Sequence, residues 1–261
     1  MKKISFSDAT LVIASNLSFK EKIEIARQLE KLNVSAIELG EILNIKSDTL
    51  LVKTIASFVK NSTVSVSAGF TEEGINNAAN ALVTAAKPRI KIEIPVSTVG
   101  MEYTCHIKAP MMIELVKQLV ALAKQKGVEA EFCALDATRA EEKVLKEAVL
   151  SAVEAGADIV TICDASAEML PEKFGEFIEE IVTYTKDTKV KLSVNCSNKN
   201  GLAAAKAVTA VDKGVEIVTT DVLSRNVPLD NMAEIVRDCG QNNGFSGIRI
   251  SGNAIFTLSV A

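Results

Sequence analysis

Eight short runs of strand-forming residues alternate with amphipathic stretches along most of this chain. The runs are Lys3–Phe6, Ser35–Leu39, Thr63–Ser67, Arg89–Ile94, Val128–Phe132, Asp158–Ile162, Val190–Val194 and Val215–Thr219. Most are rich in Val, Ile and Thr, the residues that suit a pleated surface. Between them the spacing predicts helices over 18–32, 71–86, 109–125, 141–155 and 171–185. The first is the cleanest. Ile23, Ala26, Leu29 and Leu32 recur at helical spacing, and Ser18 stands three residues before Glu21, as in a capping box. Pro110 and Pro171 sit where a first helical turn begins, and Gly127 and Gly156 follow helix ends, where a left-handed cap is needed. Strands separated by whole helices pair in parallel. Eight such units in 261 residues fit a (β/α)8 TIM barrel, an α/β fold. A doubly wound open sheet is the alternative, but no G-x-G-x-x-G follows a strand, which counts against a dinucleotide-binding version.

Composition narrows the function. Hydrophobic residues make up 48% of the chain, ample for a large core. The net charge is −4 with acids and bases interleaved, and there is no tryptophan. That argues against a basic stripe or a stacking platform for nucleic acid. Charged and polar residues run through the first 22 positions, and no later stretch reaches about 18 consecutive apolar residues. The chain reads as a soluble cytoplasmic protein with no membrane association. Cys105, Cys133, Cys163, Cys196 and Cys239 are scattered singly, without C-x-x-C spacing, and read as small buried hydrophobes.

In a barrel of this kind functional groups project from the carboxyl ends of the strands. Asp8, Asp136, Asp164 and Asp221 all fall there, as do Arg139, Asn195, Ser197 and Asn226, and these eight form the candidate pocket. Turn and capping chemistry is the competing explanation for the aspartates and for Asn226, which precedes Val-Pro. Arg139 has Asp136 or Asp164 as a potential partner. Lys91 and Lys191 lie in strands near their starts and are expected to reach solvent, which argues against Schiff-base chemistry. Cys196 reads as a packed thiol. His106, the single histidine, reads as a surface or loop residue.

The strand-end segments, taken in order, resemble those of homocitrate synthase, 2-isopropylmalate synthase and the related HMG-CoA-lyase-like barrels. DATLVIASN at 8–16 is similar to D-T-T-L-R-D-G-E-Q, with Asp8, Thr10 and Leu11 matching. PVSTVGMEY at 95–103 is similar to S-D-I-H-M-x-Y. CALDATRAEEKVL at 133–145 is similar to E-D-A-T-R-T-D-x-x-F-L, and ICDASAEMLPE at 162–172 to I-x-D-T-x-G-x-x-x-P. VKLSVNCSNKNGLAAAKAV at 190–208 resembles a stretch containing H-C-H-N-D-L-G-L-A, and SRNVPLDNM at 224–232 resembles A-G-N-A-P-L-E-E. RISGNAIFTLSVA at 249–261 resembles the family's I-V-G-x-N-A-F-x-H-x-S-G.

The resemblance implies a divalent metal that polarises a 2-oxo acid while acetyl-CoA adds to it. It also shows what is replaced here. The catalytic arginine position holds Val12 and the metal-binding aspartate position holds Ile13. A histidine position holds Gly100, a glutamate position Leu135 and a threonine position Ala165. The two metal-binding histidine positions hold Asn195 and Ser197. Of the four implied metal ligands only Asn226 is kept, so the expectation is no metal and no cofactor. The preferred reading is a barrel over 1–240 with a tail at 241–261, the lid subdomain absent. It would be a catalytically silent member working as a homodimer or as a heterodimer with an active paralogue, similar to the smaller subunit of a split homocitrate synthase. Two readings compete with it: a metal-free enzyme acting on a small carboxylate, and a ligand-binding regulator.

Overall fold

The computed structural model describes residues 1–14 and 16–247. Eight parallel strands close into a barrel, and eight main helices surround it. The strands are β1 (Ser5–Asp8), β2 (Ala36–Leu39), β3 (Thr63–Ser67), β4 (Pro88–Pro95), β5 (Glu129–Leu135), β6 (Ile159–Asp164), β7 (Lys191–Cys196) and β8 (Ile217–Asp221). The helices are α1 (Phe19–Lys31), α2 (Ile45–Phe58), α3 (Glu72–Leu82), α4 (Ala109–Gln125), α5 (Glu142–Glu154), α6 (Pro171–Thr185), α7 (Ala203–Lys213) and α8 (Leu229–Cys239). Each strand pairs with its sequence neighbours, and β8 pairs with both β7 and β1. Closure excludes the open doubly wound sheet.

Local chemistry explains the element ends. The Ser18–Glu21 capping box is formed as the sequence predicts, and Gly127 and Gly156 take positive φ after α4 and α5. Three helices were not delimited by periodicity. Asn44 caps α2 by accepting from the Lys46 and Ser47 amides. The other two, α7 and α8, follow the turns at Gly201 and Pro228. The first strand begins two residues later than the Lys3–Phe6 run implies. Lys2 and Lys3 instead pair with Phe245 and Ser246, in a two-stranded ribbon outside the barrel. Residues 241–247 therefore fold back onto the start of the chain, with Phe245 buried. The apolar tail residues Ala254, Ile255, Phe256, Leu258, Val260 and Ala261 lie outside the described residues.

The core is the layer between barrel and helices. Ile90, Ile92 and Ile94 of β4 point into it and are fully buried, as are Phe132, Phe174, Leu29 and Ile55. The cysteines divide: Cys133, Cys163 and Cys196 are buried, but Cys105 is half-buried and Cys239 is exposed, at the end of a helix that covers only one face. Among the described residues no helix is long and apolar enough to cross a membrane.

One glycine shows how tightly a loop is set. Gly74 occupies the first turn of α3, where glycine is a poor helix former. A Cβ there would stand 2.1 Å from the Ala68 carbonyl oxygen at the end of β3. Gly74→Ala is expected to cost about 2 kcal/mol, the usual scale for overpacking. Urea unfolding checks this; an unchanged midpoint would show that the loop yields freely.

Candidate functional site

The carboxyl ends of β7, β8 and β1 are adjacent around the barrel, and hydrogen bonds stitch their loops together. The Asn198 amide and side chain donate to the Arg225 and Ser224 carbonyls at 2.8 and 3.1 Å. The Val222 amide donates to Thr10 Oγ1 at 3.0 Å, and the Ala9 amide to the Thr220 carbonyl at 2.8 Å. The loops and strand ends that carry Ile13, Asn195, Ser197 and Asn226 are thereby neighbours. Ile13 lies in a single helical turn, Thr10–Ile13, and Val12 beside it is 42% exposed. The amides of Asn195 and Asn226 are half-buried.

The four aspartates of the expected pocket hold loops in place. Asp221 accepts the amides of Leu223, Arg225 and Asn226 at 2.7, 3.1 and 2.6 Å. Asp136, in the left-handed region, accepts Ser97 Oγ at 2.6 Å and the Arg139 guanidinium at 2.7 Å, so Arg139 chooses Asp136 over Asp164. Asp164 accepts Thr138 Oγ1 and the Ala167 amide, and receives Lys206 Nζ at 2.6 Å. Asp8 accepts the Thr10 amide at 3.0 Å. Asp8 and Asp221 thus make the loop-amide bonds that turn chemistry predicts, while Asp136 and Asp164 are held mainly by Arg139 and Lys206.

Position 100 is closed as well. A Cβ on Gly100 would meet Pro95 Cβ at 2.7 Å and Ser97 Oγ at 3.0 Å. Any larger residue there needs the loop after β4 to shift. Leu135, at the end of β5, is half-buried and supplies no polar group. His106 is exposed, with φ of 54°. The Cys196 thiol is fully buried, and burial pushes its pKa well up, so it is a packed thiol.

Two groups escaped the sequence reading. Lys206 on α7 is fully buried against Asp164; the signal was a lysine on the apolar face of AAAKAV. The second is a charged network inside the barrel. Lys91 does not reach solvent: it is 5% exposed, and its Nζ lies 2.7 Å from Glu38 and 3.4 Å from Glu93. Lys191, by contrast, is exposed as expected. Arg89 pairs with Glu129 and Glu131 at 2.6 and 3.2 Å. Ser7 donates to Glu38, Ser67 to Glu93 and Thr161 to Glu131. Burial lowers the Lys91 pKa, but the carboxylates around it, Glu38 and Glu93 foremost, outweigh burial and hold it above its usual value. A protonated lysine cannot attack a carbonyl, which argues against Schiff-base chemistry on firmer ground than solvent exposure. The misreading has a physical cause. In RIKIEI the apolar half faces the helices and the charged half faces the lumen, so neither face meets bulk water.

The four positions gathered beside β7, β8 and β1 offer two amides, a hydroxyl and a hydrocarbon. Among the described residues no group of three or more His, Cys, Asp or Glu side chains is placed to hold a metal ion. Imidazole and carboxylate are the side chains that bind divalent ions well, and this donor set does not fit one.

The closed parallel sheet and its ring of helices define a (β/α)8 barrel. The HMGL-like family profile matches residues 8–236, and the chain belongs to that family. It is 36% identical to the 2-isopropylmalate synthase of Aquifex aeolicus (strain VF5) over 204 residues, covering 78% of this chain and 39% of that protein. It is 34% identical to that of Listeria monocytogenes serotype 4a (strain HCC23), covering 84% and 44%. The chain thus spans less than half the length of these relatives. The HMG-CoA lyase of Bacillus subtilis shares the fold at a TM-score of 0.80 and 13% identity, over 95% of this chain and 89% of that one.

Two expectations follow. Removing one partner of a fully buried ion pair typically costs about 3–5 kcal/mol, because the other charge is left alone. Lys206→Met should lose that much, and the double variant with Asp164→Asn should lose less, as chemical denaturation will report. The second concerns pH. Burial pushes the Asp8 carboxyl up to about 7 against the hydrogen bonds from Thr10, with repulsion from Asp221 and Glu38 adding to it. An unfolded aspartate titrates near 3.9. The native state therefore holds the extra proton between about 4 and 7, and this contribution to stability is present below about 4 and lost as pH rises through 7. Relative to Asp8→Asn, the wild type should lose about 4 kcal/mol across that window. Parallel pH profiles of the two proteins would exclude the assignment.

Proposed function

We propose that this chain is a catalytically silent barrel of the HMGL-like family whose cellular role is that of a subunit. Its partner would be an active paralogue that carries the metal, or failing that a second copy of itself. One observation carries the reading. The positions that would hold a divalent ion present Ile13, Asn195, Ser197 and Asn226, while nearby carboxylates such as Asp164 and Asp221 are engaged by Lys206 and by loop amides. Val12 adds to this. Where the family's arginine would offset charge developing on a carbonyl oxygen, the chain carries an exposed hydrocarbon. The closure of the loop over Gly100 is a third support, because it leaves no room for a side chain there. Kept frame and lost chemistry together are what selection on shape would leave.

Three measurements test the proposal on full-length protein. Elemental analysis after purification without chelator should find divalent metal well below one equivalent. Acetyl-CoA offered with 2-oxoisovalerate or 2-oxoglutarate should give no thiol release above background. The variant Ile13→Asp, Asn195→His, Ser197→His, with Asn226 as fourth ligand, should gain manganese or zinc binding that the wild type lacks. Stoichiometric metal in the wild type, or turnover by the homogeneous protein, would overturn the reading. So would a monomer at micromolar concentration that neither co-purifies with nor stimulates a synthase paralogue from the same cells.

A further inference from the structure

The large apolar side chains that stand exposed are not spread evenly over the barrel. Val12, Leu43, Ile45, Val99, Tyr103 and Leu170 all lie on the loops after β1, β2, β4 and β6, or at the first residue of the helix that follows, and so ring the mouth. At the opposite end, among the described residues, only Met1 and Val83 stand out in this way. Leu43 is 84% exposed and Tyr103 75%. Apolar surface gathered on one face marks an interaction site more often than a solvated one.

The loop after β4 is built to present two of these side chains. Ser97 caps a short helical turn, Thr98–Gly100, by accepting the Gly100 amide. The chain then widens into a π-helical turn, Met101–Cys105, closed by the His106 amide on the Met101 carbonyl. Met101 turns into the core and Tyr103 out to solvent. Wide turns of this kind are rare and recur at functional sites.

Charge is divided across the same face. Beside β2, β3 and β4 the exposed carboxylates Glu41, Glu72, Glu73 and Glu102 outnumber Lys46 and Lys108. Beside β7 and β8 the exposed Lys199 and Arg225 outnumber Asp230. In the ring of eight strands β3 stands opposite β7, so the acidic and basic sides of the mouth face each other across it.

We propose that the mouth face is a self-association surface on which two copies of this chain dock mouth to mouth. A two-fold axis lying across the mouth, above β1 and β5, exchanges β3 with β7, β2 with β8 and β4 with β6. That operation sets Glu41 of one copy against Arg225 of the other, and Glu72 against Lys199. It sets Val99 and Tyr103 against Leu170, while Val12, near the axis, meets its own counterpart. A surface complementary to itself in this way is what a two-fold dimer requires. The six apolar side chains expose about 800 Å², the area each partner of a standard stable interface buries. The charged groups lie around them, as at the rim of such interfaces. Docking of this kind rests on the subunit reading above, in its second-copy form, and assigns it a surface.

Sedimentation velocity on the full-length protein tests this. The wild type is expected to be a dimer at micromolar concentration. Tyr103→Glu and Leu43→Glu should each raise the dissociation constant about tenfold or more, as an unpaired charge at an apolar interface does, with circular dichroism unchanged. Val83→Glu, at the other end of the barrel, should leave it as it is. Glu41→Arg and Arg225→Glu should each weaken the dimer by setting like charges face to face, and the double variant should recover the wild-type constant. Such recovery belongs to an axis that pairs these two positions. A wild-type dimer that survives both Tyr103→Glu and Leu43→Glu, or charge reversal without recovery, would overturn the mouth-to-mouth dimer and leave the subunit reading standing. A monomer that binds an active paralogue would do the same. A monomer that binds none would overturn both.

Discussion

The pairing of β8 with β1 is the constraint on which the rest of the molecule rests. Ser5–Asp8 lies in register with Ile217–Thr220, and this ladder joins residues more than two hundred positions apart. Without it the sheet has two open edges, and the loops after β1 and β8 belong to opposite ends of a layer. With it, the Thr10 hydroxyl reaches the Val222 amide, and the first and last strand-end segments become one surface. The joining of the Thr10 and Val222 loops is thus a product of closure, not of local sequence.

Closure also creates an interior that bulk water cannot fill, and the chain fills it with charge. Arg89, Lys91, Glu38 and Glu131 are all nearly buried, and each is paired. Buried ion pairs of this kind are weak evidence for net stability, because desolvation offsets most of the attraction. Their value lies in discrimination. A register slip of one residue would turn Arg89, Lys91 and Glu93 towards the helices and the isoleucines of β4 into the lumen. The network thereby enforces a single register for β4 and β5.

Much of the fold was legible in the sequence because the strand runs are short and spaced by whole helices. Thr63–Ser67, Ala109–Gln125 and Pro171–Thr185 were delimited to the residue, with Thr63 and Pro171 marking clear starts. The helix α7 was harder, since AAAKAVTAVDK puts a lysine, Lys206, on its buried face. Lys91 was misread because a period of two separates the two faces of a strand without saying what each face meets. At the site, motif order placed the strand-end residues, and the turn chemistry of the aspartates was foreseeable from their type. The partner of Asp164 was not: a fully buried lysine on a neighbouring helix leaves only a faint mark in sequence.

The two sides of the mouth are built on different principles. Beside β7, β8 and β1 the positions of Ile13, Asn195, Ser197 and Asn226 hold neutral or apolar side chains, and the backbone around them is tied down by Asp221, Thr10 and Asn198. Beside β2, β3 and β4 the ionic groups persist, but Lys91 is locked by carboxylates and Ser67 by Glu93. A metal site needs unpaired donors that converge; one side lacks the donors and the other has them already paired. Substitutions at Ile13, Asn195 and Ser197 would leave in place the Asp221 carboxylate, Thr10 hydroxyl and Asn198 side chain that hold these loops. At Gly100 the opposite holds, since a Cβ there would meet Pro95 Cβ and Ser97 Oγ. A larger side chain at the β7, β8 and β1 ends leaves the bonds that hold those loops in place, whereas at the end of β4 it requires the Pro95 and Ser97 side chains to move.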